Sequence, residues 1–88
     1  MDIQDYRDQI DKIDDELLRL FKERMEVARR IAIYKKERGI PALDATRERE
    51  KLAAIGEKAG DGLRSYAHTL YSTLFELSRA YQGSFLEQ

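Results

Sequence analysis

Cysteine and tryptophan are absent from this chain, and its 88 residues include one proline and one histidine. Without cysteine there is no disulfide framework, no thiol nucleophile and no thiolate metal site. With His68 as the sole histidine and no HExxH motif, no zinc constellation is evident, so any catalysis must be metal-free or borrow its metal. An excess of charge of one sign is lacking too: 16 Lys and Arg stand against 17 Asp and Glu, a formal net charge of -1. No net basic field exists to gather a polyanion, which argues against nucleic acid as a partner. No apolar run approaches the roughly 18 residues that a membrane span needs. The opening Met1-Asp2-Ile3-Gln4-Asp5 is acidic where a signal peptide is basic and then apolar. The expected location is cytoplasmic, with no membrane partner.

What the chain does contain is charge (38%) and apolar side chains (42%) arranged at helical spacing, which with so little proline suits amphipathic helices better than a sheet. The expected class is all-α, as one domain spanning 1–88. A chain this short leaves much of its surface wet unless it associates, so oligomerisation is expected as well.

Ile3, Tyr6, Ile10, Ile13, Leu17, Leu20, Val27, Ile31 and Tyr34 recur three, four or seven apart and predict one long helix over about 3–38. Gly39 supplies its C-terminal stop and Pro41 forbids easy continuation. At about 1.5 Å per residue this is a rod of roughly 50 Å, longer than a compact domain of this size is wide. Such a rod needs a second chain to cover it. A shorter helix over about 44–59 opens at Asp44 or Thr46, whose oxygens can cap free N–H groups, and turns Leu52 and Ile55 inward. Gly56 weakens its interior, and Gly60-Asp61-Gly62 breaks the chain before a third helix over about 63–86. Leu63, Tyr66, Ala67, Leu70, Leu74, Leu77 and Tyr81 form the apolar stripe of that helix.

Certain residues interrupt this pattern. Arg24 falls in the heptad series 3, 10, 17, 24, 31, where an apolar side chain belongs; taken by itself it reads as a register-setting buried ion pair or a snorkelling arginine. Lys35, however, lies about 20° round the helix from Arg24 and about 16 Å along it, so both long cations can reach one pocket. Arg7 is about 25 Å from Arg24 along the axis and about 100° off its face, which excludes it from that pocket within one straight helix. In an antiparallel pair of long helices the start of one lies beside the later turns of the other, which delivers Arg7 in trans. Otherwise Arg7 is an ordinary surface cation. The run Arg47-Glu48-Arg49-Glu50-Lys51 is by default a solvated face, and interest falls on its first turn, where Asp44 and Glu48 share a side. Ser78 and Gln82 sit one turn apart on the edge of the third stripe, where they can satisfy each other. His68 faces water.

Taken as an ordered set, Arg7-x16-Arg24-x10-Lys35-x8-Asp44-x2-Arg47-Glu48 followed by Ser78-x3-Gln82 closely resembles the active-site pattern of the all-helical chorismate mutases. Ile13-Asp14-Asp15-Glu16-Leu17-Leu18 followed by Glu23-Arg24 is similar to that family too, including mutase domains fused to prephenate dehydratase. The resemblance implies an intertwined homodimer of three-helix chains, a six-helix bundle with antiparallel first helices and two sites shared between chains. It implies rearrangement of chorismate to prephenate in phenylalanine and tyrosine biosynthesis, with no cofactor and no metal. In that reading Arg7 and Arg24 bind the two substrate carboxylates with help from Ser78, and Lys35 and Gln82 donate to the ether oxygen. Glu48 accepts from the ring hydroxyl, Arg47 balances the local charge, and the backbone around Asp44 assists. Other readings are an isochorismate pyruvate lyase on the same fold, and a noncatalytic dimerisation or regulatory module of an aromatic-pathway enzyme. A fused or associated aromatic-pathway domain is compatible with each.

Overall fold

The computed structural model describes residues 1–86, so the last two positions of the 1–88 span lie outside the described residues. Three helices follow one another, α1 (Ile3–Arg38), α2 (Ala45–Ala59) and α3 (Arg64–Leu86), close to the predicted bounds. Their ends are set by local chemistry. Asp2 and Asp5 form a reciprocal capping box, each side chain accepting from the other's backbone N–H at 3.0 Å. Gly39 closes α1 in the left-handed region at φ 67°, a conformation that costs a Cβ-bearing residue energy. Asp44 opens α2 by accepting from the backbone N–H of Arg47 at 3.0 Å.

Contacts between the helices fix their directions. Arg24 meets Ser78, Ala28 meets Gln82 and Arg29 lies over Phe85, so α1 and α3 ascend together. Glu48 meets Arg79 and Gly56 faces Arg64, so α2 descends against α3. The chain therefore runs up, down and up. α1 and α2 both pack on α3, and among the described residues they do not pack on each other. Gly56, which weakens α2 on propensity alone, is buried where α2 crosses the start of α3. A Cβ there would stand 3.3 Å from Cγ of Arg64.

The buried core consists of Ala28 and Ala32 of α1, Ile55 of α2 and Phe75 of α3. Two features of the packing stand out, of which the second departs from the sequence reading. α3 rests on the Ala28–Ala32 flank of α1, where small side chains permit close approach, and leaves the large apolar stripe uncovered: Ile10 and Leu17 are each 56% exposed. Phe75, the buried aromatic of α3, lies off the expected stripe, whose members Leu63, Tyr66, Leu70 and Leu77 are exposed. Among the described residues nothing covers the first half of α1, which is exposed along its length.

The longest dimension is 55 Å, the length of α1 itself. The radius of gyration is 16.2 Å, whereas a compact chain of this length has about 12 Å. The accessible surface is 7062 Å², against roughly 5400 Å² for a compact monomer of equal mass. Among the described residues no helix is long and apolar enough to cross a membrane.

Candidate active site

A cavity of about 340 Å³ opens between the second half of α1, the loop entering α2, the first turns of α2 and the last turns of α3. From α1 come Arg24 and Lys35, with Val27, Ala28 and Ile31 as an apolar wall. The loop and α2 supply Ala42, Asp44, Arg47, Glu48 and Lys51, and α3 supplies Phe75, Ser78, Arg79 and Gln82. Residues 24, 35, 44, 47, 48, 78 and 82, singled out from sequence, thus meet in one place. Arg7 does not: it is exposed on the first turns of α1 and takes no part in the lining.

Arg24 resolves its awkward heptad position without a carboxylate. Its Nη1 donates to Oγ of Ser78 at 2.5 Å, and its guanidinium lies 5.6 Å from the centre of the Phe75 ring, an aromatic face that accepts positive charge. Among the described residues no acid pairs with it, so its charge is available to a ligand. Lys35 donates from Nζ to the carbonyl of Ala42 at 3.0 Å, which ties the loop before α2 to the last turn of α1. An ammonium has three donors, and this contact uses one.

Gln82 donates from Nε2 to the Ala28 carbonyl at 2.9 Å. The bond fixes the amide against α1 and leaves its second N–H for the cavity. Ser78 and Gln82 therefore bond to α1 and not to each other, because α3 turns both side chains towards its neighbour. Asp44 lines the cavity while its carboxylate caps α2.

Glu48 differs from its sequence-based description. Its counter-charge is Arg79, whose Nη1 donates to both carboxylate oxygens at 2.5 and 2.6 Å; Arg47, expected to balance the charge here, contributes its backbone N–H to Asp44. The physical reason is that Arg47 is the immediate neighbour of Glu48 and leaves the helix in a different direction, whereas Arg79 faces it from α3. Arg79 escaped the sequence analysis. The available signal was its place three residues before Gln82, on the same helical side.

The lining carries Arg24, Lys35, Arg47, Lys51 and Arg79 against Asp44 and Glu48, five cations less two anions, a net of +3. A concave site of one sign focuses the field and favours a small polyanion. Ser78 spends its oxygen on Arg24 and has no histidine or carboxylate beside it among the described residues, so it is not set up as a nucleophile. The described residues also contain no group of three or more metal-ligating side chains. The arrangement suits carboxylate binding and donation to an oxygen that gains negative charge.

Neither the comparison with curated proteins nor that with solved structures gives a match. The model of the chorismate mutase type II family matches residues 6–83, a span that takes in α2, most of α1 and α3, and every residue lining the cavity, and the chain belongs to that family.

Proposed function

We propose that this chain catalyses the rearrangement of chorismate to prephenate in a dimer whose two sites each draw on both chains. The observation that carries the reading is the convergence of Arg24, Lys35, Glu48, Ser78 and Gln82 on one cationic cavity in a chain of this family. The reaction is unimolecular: the ether C–O bond breaks as a C–C bond forms, and no proton or covalent adduct need pass to the protein. The protein's work is to hold the folded conformer and to stabilise charge on the departing oxygen. Arg24, oriented by Ser78 and the Phe75 ring, takes one carboxylate. Lys35 and the free N–H of Gln82 donate to the ether oxygen, and a donor aimed at developing charge contributes roughly 3 to 4 kcal/mol. Glu48 accepts from the ring hydroxyl, while Asp44 and Arg47 shape the cavity entrance.

The second carboxylate is assigned to Arg7 of a second copy. The surface in excess of a compact monomer, roughly 1700 Å² per chain, is in the range that a permanent dimer buries. The uncovered stripe of α1 is available to such an interface. Two copies of Ile3–Arg38 paired antiparallel end to end set position 7 against position 34, one residue from Lys35. This pairing brings the missing arginine to the cavity.

The test is loss of chorismate absorbance with the isolated chain, chelator present and no metal added. Prephenate should accumulate with simple saturation kinetics. No turnover of chorismate, with pyruvate released from isochorismate instead, would move the assignment to the lyase on the same fold.

A further inference from the structure

We infer that Arg79 is a positioning residue of the site, acting through Glu48; the inference rests on the chorismate reading. Glu48 poses an electrostatic difficulty for that reading. It is an anion in the wall of a cavity meant for a substrate with two carboxylates, and like charges brought together in a desolvated site oppose binding. Arg79 removes the difficulty. One guanidinium nitrogen bridges both carboxylate oxygens of Glu48, at 2.5 and 2.6 Å, in a half-buried pair. A carboxylate has about four acceptor directions, so this bridge leaves outward lone pairs free to take a hydroxyl proton.

The pair also has an architectural role. Of the salt bridges among the described residues, Glu48–Arg79 is the one that joins two different helices; the others lie within α1 or at the start of α3. Because α2 does not pack on α1 among the described residues, its first turns are held over the cavity through α3 and the Lys35–Ala42 link. Arg79 thus sets where the Glu48 carboxylate stands relative to Arg24 and Lys35, and cancels its charge at the same time.

The experiment is a double-mutant cycle on kcat and KM for chorismate with Arg79→Met, Glu48→Gln and the pair, plus Arg79→Lys. Arg79→Met should reduce kcat/KM about 10- to 100-fold, as expected for loss of a hydrogen bond to a charged group, and mainly through KM. A purely structural defect would instead lower the amount of active protein, reducing apparent kcat at unchanged KM. In the Glu48→Gln background the further loss should shrink to about twofold or less, because the group through which Arg79 acts is gone. Arg79→Lys should recover most of the activity, since the observed contact uses a single nitrogen and no fork. If Arg79→Met does not fold, the cycle is run with Arg79→Gln, which removes the charge but keeps a polar side chain, and the same criterion of non-additivity applies. Equal losses in both backgrounds overturn the inference, making Arg79 an independent substrate contact or a structural residue. A wild-type chain inert towards chorismate overturns the functional reading and this inference with it, so the two failures are told apart by the wild-type control.

Discussion

Gln82 is tied at 2.9 Å to a backbone carbonyl of α1, so its amide is fixed before any ligand arrives. That gives the residue a testable chemical signature. An amide donates at any pH, whereas a carboxyl group in its place donates only while protonated. Gln82→Glu should therefore convert a flat acid-side profile of kcat/KM into one that climbs from pH 8 towards about pH 4, with wild type little changed until its own carboxylates titrate. Near neutrality the introduced carboxylate would confront both the Ala28 carbonyl and an oxygen gaining negative charge. The expected loss there is roughly 3 kcal/mol, on the order of a hundredfold in rate. A variant that equals wild type at neutral pH with the same profile would remove Gln82 from the ether-oxygen role.

α2 shows how one side chain can serve an element and a cavity together. Asp44 caps the helix through the N–H of Arg47 and also lines the site, so a single substitution to alanine would confuse the two roles. Asparagine caps about as well as aspartate. Asp44→Asn should accordingly stay within a few tenths of a kcal/mol of wild type in urea unfolding, while Asp44→Ala loses about 1 kcal/mol. Any activity lost in Asp44→Asn then reports the carboxylate's charge at the cavity, and equal stability losses in both variants would refute the capping role. The ion pairs within α1 are of another kind. Arg29, by its hydrogen bond and then its charge, holds the Glu26 carboxyl below the usual range, but both groups are solvated and such pairs contribute little.

The whole molecule is shaped by what one chain cannot cover. A 55 Å rod with an exposed apolar stripe and a small core is a marginal monomer, and in the proposed dimer association supplies the missing burial. Sedimentation at micromolar concentration should find a dimer; a folded, active monomer would overturn the shared-site reading. The origin of Arg7 is testable separately. Mixed Arg7→Ala and Arg24→Ala chains should regain activity, because one site of the heterodimer receives both native arginines. Wild type mixed with the doubly substituted chain should form heterodimers without an intact site. Sites confined to single chains give the opposite pattern in both mixtures.

Helix extents, the caps at Gly39 and Asp44 and the break at 60–62 were legible in the primary structure because they depend on near neighbours: a period, a side-chain oxygen, a glycine. The shared reach of Arg24 and Lys35 was legible for the same reason, since a rigid helix converts spacing into direction. The flank of α1 that meets α3 was not. Periodicity marks the large apolar residues as one face, but close helix packing selected Ala28 and Ala32, and the large stripe stayed open. From that choice follow the features that only packing determines: Phe75 beneath Arg24, Ser78 and Gln82 each bonded to α1, and Arg79 in place of Arg47 opposite Glu48. Each depends on which side chains two helices bring together across the interface, a non-local fit that no period along one strand of sequence encodes.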